Sequence, residues 1–171
     1  MPRRQILPLG GGVIVGVWVV MLVATPYVAS HDHLQRAGAV AVAAMYVAGG
    51  VVCHQQPARS FHLWGTQMPV CARCSGLYAL APLGFVLAPG GGWLGAGRRR
   101  PSRRGVSIHR LRTVLLASAV PTLVTVGGEW AGLMHPTNLV RAVAGLPLGL
   151  TVAWVAGLAL VGAIDEMEHQ G

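Results

Sequence analysis

The three cysteines of this 171-residue chain stand close together, at Cys53, Cys71 and Cys74, in a polar segment between apolar stretches. Cys71-Ala-Arg-Cys74 has the spacing that lets two thiolates turn towards one metal ion or close a small disulfide ring. Cys53 is followed by His54, and three sulfurs with one imidazole form a ligand set of structural zinc sites. The segment therefore predicts a metal site. Zinc is the first choice, and copper(I) stays open because three thiolates also suit that ion.

The predicted metal ligands share this one segment and are Cys53, His54, Cys71 and Cys74. Adjacent residues rarely both bind one ion, so His62 or His135 is an alternative fourth ligand. Cysteine is also a common small buried hydrophobe. That explanation suits a lone cysteine in a helix better than three cysteines in a polar segment. Because the number of cysteines is odd, complete disulfide pairing within one chain is excluded.

A membrane thiol–disulfide oxidoreductase is the second interpretation of the same residues. Cys71 would attack as a thiolate, because a helix start and the neighbouring Arg73 both lower a thiol pKa. Cys74 would resolve the mixed disulfide, and Cys53 would be a third exchange partner. Transport of a metal or a small anion is the third interpretation. Whether the protein is an enzyme stays open at this point.

A second group of polar residues lies in the later half of the chain. Glu129 is the only acid in a long central stretch and stands near the end of a predicted helix beside Trp130. A charge at membrane depth is costly and is usually paired, which makes Arg141 a candidate partner, while a headgroup-level position explains Glu129 equally well. Asn138 and Arg141 lie one helical turn apart and share a face. The candidates for a supporting or anion-binding role are Gln55, Arg59, Arg73, Glu129, His135, Asn138 and Arg141.

The stretches CHQQPARSF, PVCARCSGLY and HPTNLVRAVAG resemble the signature of a family of small bacterial and archaeal integral membrane proteins of unknown function. That signature reads C-H-Q, R-S-F, C-x-R-C-S/T-G and then T-N-x-x-R-x-x-x-G, and the resemblance extends over roughly residues 45–160. An Asp usually stands in the family where this chain has Glu129. The resemblance implies a shared site and no particular reaction. The matching positions are Cys53, His54, Gln55, Arg59, Ser60, Phe61, Cys71, Arg73, Cys74, Gly76, Thr137, Asn138, Arg141 and Gly145.

The elements that must position these residues are membrane helices. The chain is 53% hydrophobic and only 11% charged, whereas soluble domains are about a quarter charged. Several runs without Asp, Glu, Lys or Arg approach or exceed the roughly 20 residues of a spanning helix. We therefore predict an all-α integral membrane protein, a bundle of four to five transmembrane helices in a single membrane domain over residues 1–171. The predicted helices are 9–28, 37–52, 71–87, 111–126 and 139–164, with a Cys/His-rich loop at 53–70 between helices two and three and a basic loop at 89–110.

The net charge of +8 comes entirely from arginine, and seven of the thirteen arginines lie between Arg98 and Arg112. Basic loops of this kind mark the cytoplasmic side and contact lipid headgroups. Without aromatic interleaving or a nucleic-acid module, we expect the lipid bilayer and not nucleic acid as partner. The prediction is a plasma-membrane protein with the Arg98–Arg112 loop in the cytoplasm. The cysteine segment and the 127–141 turn share the opposite face. A homo-oligomer, and a cleaved signal peptide in place of helix one, stay open.

Overall fold

The computed structural model describes residues 3–31, 36–88 and 108–160. The basic loop predicted at 89–110 lies almost wholly outside these ranges, as does the end of the last predicted helix. The elements in the described ranges are α1 (Arg3–Ala29), α2 (Arg36–Val52), a 3-10 turn (Pro57–Arg59), β1 (Ser60–Leu63), β2 (Thr66–Cys71), α3 (Ala72–Ala79), α4 (Ala81–Leu87), α5 (Ile108–Trp130) and α6 (Asn138–Leu160).

Three of the described helices are long and apolar enough to cross a membrane. They are Pro8–Ala29, Ile108–Trp130 and Asn138–Leu160. Their outward faces carry large exposed apolar side chains, such as Val13 and Ile14 of α1 at 64% and 71% exposure. A surface of this kind is unfavourable in water and favourable against acyl chains. The apolar stretches Gly38–Val52 and Ala72–Leu87 are shorter, so three of the four to five predicted spans have the required length and composition.

The segment predicted as a loop at 53–70 contains an antiparallel hairpin, so the protein is mostly rather than wholly helical. Strands β1 and β2 pair with Ser60 opposite Cys71 and Leu63 opposite Thr66. The two turn residues, Trp64 and Gly65, have φ values of 51° and 77°. Positive φ at both turn positions matches the twist of the flanking strands. Trp64 is not a usual turn residue, which is why the sequence did not predict the hairpin.

The helix predicted at 71–87 is divided into α3 and α4 at Leu80. Pro82 lies in the first turn of α4, where its missing N–H costs no hydrogen bond, and a proline at this position interrupts a longer helix. Helix α5 extends beyond the predicted 111–126 at both ends. Helix α6 begins at Asn138, and the Thr137 hydroxyl caps it by accepting a hydrogen bond from the Val140 N–H at 3.3 Å.

Helix α6 packs closely along α3 and α4 through glycines. A Cβ at Gly76 would stand 1.9 Å from the Ala142 carbonyl oxygen, and one at Gly149 would stand 1.8 Å from that of Leu77. Only a residue without a side chain allows backbones to approach this closely. Helix α1 also contacts α3, where the Trp18 and Tyr78 rings meet edge to face at 6.1 Å. These contacts fix α3, and with it the Cys-Ala-Arg-Cys pair, against both long helices.

Candidate functional site

The three cysteine sulfurs lie within 4.8 Å of one another. Cys53 directly follows α2, Cys71 ends β2, and Cys74 lies in the first turn of α3. The hairpin returns the chain so that the Cys71 N–H donates a hydrogen bond to Cys53 Sγ at 3.1 Å. Three sulfurs from three different elements therefore meet at one point. We call this group the cysteine triad.

The cysteine triad lies at the edge of an apolar cluster. Leu22 of α1, Met68 and Val70 are buried there with Cys53, while Cys71 and Cys74 are half-buried. Apolar surroundings limit the access of water to the sulfurs. Cys71 and Cys74 are therefore the more accessible residues of the triad.

The Cys71 thiol is strongly acidified. A hydrogen bond from the Cys74 side chain lowers the pKa of Cys71 to about 5, and further hydrogen bonds from the Cys74 backbone and from Cys53 act in the same direction against the effect of burial. Cys71 also occupies the N-cap position of α3. A thiol with this pKa is a thiolate at neutral pH, and the thiolate is the form that binds metals and attacks disulfides.

The histidines considered as fourth ligand are at the surface. His54, His62 and His135 are all exposed, and the group of potential metal ligands found in the described residues contains only the three cysteines. The structure thus brings together the three predicted sulfur ligands. It places the predicted imidazole outside their immediate group.

Glu129 lies at the centre of a second cluster. Its carboxylate accepts hydrogen bonds from Arg141 Nε at 2.6 Å and from Arg73 Nη2 at 3.3 Å, and Arg59 Nη1 lies 3.8 Å away. The Glu129 side chain is only 5% exposed. Arg141 was the partner considered from the sequence, whereas the contacts of Arg59 and Arg73 with Glu129 were not foreseen. We call these four residues the Glu129 cluster.

Asn138 connects the Glu129 cluster to the hairpin, and Arg73 connects Glu129 to the start of α3. Asn138 Oδ1 accepts a hydrogen bond from Arg141 Nη1 at 2.7 Å, and its Nδ2 donates to the Ser60 carbonyl at 2.9 Å. Arg73 stands between Cys71 and Cys74 in sequence while its guanidinium reaches Glu129. The Glu129 cluster therefore ties the hairpin and the start of α3 to α5 and α6.

Gln55 makes hydrogen bonds that connect the end of α2 to β2. Its backbone has φ 46°, and its Nε2 donates to the carbonyls of Tyr46 at 2.6 Å and Pro69 at 2.7 Å. Gln67 Nε2 donates in turn to the Gln55 carbonyl at 2.7 Å, and the Tyr46 hydroxyl donates to the Gln67 carbonyl. These bonds join the end of α2 to β2, and so hold Cys53 beside Cys71. The sequence carried no signal for Tyr46 or Gln67, because their partners are backbone carbonyls far along the chain.

The structure has apolar helices of spanning length, and its polar residues lie together near the ends of these helices. This arrangement defines a helical protein of membrane character. The comparison with protein families makes this specific. The chain belongs to the family described as "Predicted membrane protein (DUF2085)", whose match covers residues 53–155. That range begins at Cys53 and contains the whole cysteine triad and the whole Glu129 cluster.

Two archaeal proteins are similar in sequence. An uncharacterized protein of Methanocaldococcus jannaschii is 27% identical over 117 residues, which are 64% of this chain and 64% of that protein. The chain therefore spans less than two thirds of that relative's length. An uncharacterized protein of Methanothermobacter thermautotrophicus is 31% identical over 104 residues, which are 60% of this chain and 81% of the relative. No solved structure matches the chain.

Proposed function

We propose that the protein binds a metal ion, zinc by preference, through the thiolates of Cys53, Cys71 and Cys74. The observation that carries the proposal is the approach of the three sulfurs to within 4.8 Å of one another. Zinc–sulfur bonds of about 2.3 Å in tetrahedral geometry place sulfurs about 3.8 Å apart. A contraction of about 1 Å or less by flexible side chains would complete three of the four bonds, and the acidified Cys71 supplies one ligand already deprotonated.

The fourth coordination position of the metal ion distinguishes a structural site from a site with an exchangeable ligand. A zinc ion with four protein ligands is structural, whereas three ligands leave a place for water or a substrate. His54 follows Cys53 directly and is the candidate that would close the site after a local rearrangement. With the imidazole outside the triad, the donor set also suits copper(I), which accepts three thiolates.

In the membrane arrangement that we propose together with metal binding, the cysteine triad lies at one face of the bilayer. Helices α3 and α4 follow α6 over a long distance, from Gly76 beside Ala142 to Ala88 beside Gly157, which supports them jointly as a fourth membrane-embedded helix. We place the arginine-rich segment Arg98–Arg112, whose last residues form the start of α5, on the cytoplasmic side of the plasma membrane by the distribution of arginines. The triad then lies on the outer side.

Metal analysis tests the proposal on the full chain purified in detergent. We expect about one zinc per chain in the wild type and none in the Cys71→Ser/Cys74→Ser variant. His54→Ala and His62→Ala form a matched pair, because both imidazoles are exposed. Weaker zinc retention in one of the two variants would identify that histidine as the fourth ligand. Retention equal to that of the wild type in both would exclude both imidazoles, and wild-type protein without zinc or copper would refute metal binding.

Thiol–disulfide exchange is the second candidate, and the hydrogen bond that acidifies Cys71 favours it. Cys71 would attack a disulfide of a partner protein, and Cys74 would displace the partner's thiol by forming the Cys71–Cys74 bond. Trypsin cleaves after Arg59 and Arg73 and so separates the three cysteines into three peptides. Alkylation followed by peptide mapping would show a reducible Cys71–Cys74 bond in metal-free protein if exchange is the function, and three free thiols if it is not.

A further inference from the structure

The Glu129 cluster carries more positive charge than its carboxylate neutralises. Three guanidiniums, those of Arg59, Arg73 and Arg141, contact one carboxylate. Glu129 is the only acidic side chain within the described ranges, since the other four acids of the chain lie outside them. The cluster as described therefore has a net charge of +2, the sum of three positive charges and one negative charge.

The excess charge is largely withdrawn from solvent. The side chains of Arg73 and Arg141 are 17% and 13% exposed. Desolvated charges are stable only when they are paired, and the requirement is stricter beside a bilayer than in a soluble protein. After Glu129 neutralises one of the three guanidiniums, two positive charges have no described counterion. A bound anion would neutralise them.

Donors for such an anion remain available in the cluster. Each guanidinium offers about five N–H donors, which is more than the contacts to Glu129, Thr125 and Asn138 use. Arg73 Nε is buried and has no hydrogen-bond partner among the described residues. Arg59 is 41% exposed and its Nη1 lies 3.8 Å from the carboxylate, too far for a hydrogen bond. Arg59 can therefore turn to another acceptor at little cost.

We infer that the Glu129 cluster binds a phosphate-type oxyanion, either inorganic phosphate or the phosphate of a lipid headgroup. The planar guanidinium fork matches two phosphate oxygens at once, and several arginines around one anion are typical of phosphate sites. Glu129 is the least exposed member of the cluster and orients Arg73 and Arg141 by hydrogen bonds, whereas Arg59 is the most exposed member. The cluster spans the end of α5 and the start of α6, where two spanning-length helices leave the apolar layer and headgroups lie. No cysteine takes part, so this inference is independent of metal binding.

The test compares Arg59→Gln with Arg112→Gln in the full-length protein. Arg59 is the least buried member of the cluster, so its replacement should leave the fold intact. Arg112 is an exposed arginine near the other end of α5 and serves as the matched control. Inorganic phosphate binding is measured by calorimetry in a zwitterionic detergent at low salt. Retention of anionic lipid is measured by mass spectrometry after reconstitution in nanodiscs with equal phosphatidylglycerol and phosphatidylcholine.

We expect Arg59→Gln to weaken anion binding by about tenfold, the effect of losing one charge-assisted hydrogen bond. Arg112→Gln should leave phosphate binding unchanged and should reduce lipid retention much less than Arg59→Gln, because an exposed arginine of the basic segment makes only non-specific headgroup contacts. Phosphate binding in calorimetry with this pattern would identify the free ion as the ligand. Selective retention of phosphatidylglycerol with the same pattern, without phosphate binding, would identify the headgroup. Absence of both, or an equal loss in the two variants, would overturn the inference.

Discussion

Replacement of Glu129 by glutamine should destabilise the protein far more than loss of any single surface ion pair. The substitution keeps the size and one acceptor oxygen of the side chain but removes its charge. Arg141 Nε at 2.6 Å and Arg73 Nη2 at 3.3 Å then lose their anionic partner, and both arginines are largely buried. The variant is left with three guanidiniums and no described carboxylate.

The expected magnitude follows from the burial of the group. Removing one partner of a buried ion pair costs about 3–5 kcal/mol in the free energy of unfolding, because the remaining charge stays desolvated. The lower limit corresponds to a change of about 150-fold in the ratio of folded to unfolded protein. Arg59→Gln breaks only a half-exposed pair at 3.8 Å and should cost less than about 1 kcal/mol.

Denaturant unfolding in detergent micelles, followed by the fluorescence of the five tryptophans, measures this difference. A double-mutant cycle of Glu129→Gln with Arg141→Gln should show a coupling well above that of Glu129→Gln with Arg59→Gln. The reasoning is refuted if Glu129→Gln costs no more than Arg59→Gln. It is equally refuted if the two couplings are the same, because the effect would then not depend on contact distance and burial.

Two further predictions concern helix packing and the reactivity of the triad. Gly149→Ala should destabilise the protein by about 1–3 kcal/mol or more, because its Cβ would stand 1.8 Å from the Leu77 carbonyl oxygen. Gly127→Ala should be neutral or stabilise the protein by up to about 1 kcal/mol, because a Cβ at Gly127 has no atom within 4 Å. The same unfolding assay measures both, and equal effects would contradict the packing. Alkylation of the Cys71 peptide should fall only about twofold between pH 7 and pH 5, since the lowered pKa of about 5 keeps half of the thiol ionised at pH 5. An ordinary thiol with a pKa of about 8.5 would lose about a hundredfold over this range, and that result for Cys71 would exclude the acidified thiolate.

The predictions made from local sequence agree best with the described structure where the signal itself is local. Long apolar runs gave α1, α5 and α6, since a stretch of about 20 apolar residues can satisfy its backbone only as a helix in lipid. The gathering of all three cysteines into one segment identified the candidate metal ligands, and the triad in the structure consists of those residues. Metal binding itself stays a prediction.

The hairpin, the break between α3 and α4 and the position of the His54 side chain were missed or left undecided. The hairpin turn uses Trp64 at positive φ, which no turn preference indicates, and the break between α3 and α4 follows from Pro82 within an otherwise continuous apolar run. From the sequence, His54 was the first candidate for the fourth ligand, with His62 and His135 as alternatives because adjacent residues rarely both bind one ion. Consecutive residues point in different directions, however, and only the folded chain shows that the imidazole is exposed.

The sequence by itself determined that this chain forms apolar helices, and it predicted the thiols as candidate site residues and Glu129 with Arg141 as a candidate pair. Residue type and spacing are sufficient for that conclusion, because hydrophobicity and ligand chemistry belong to the residues themselves. The tertiary structure alone decided that Cys53 meets Cys71 across the hairpin and that three arginines converge on one buried carboxylate. These meetings depend on strand register and on glycine contacts between α3 and α6, which are set by the packing of distant segments.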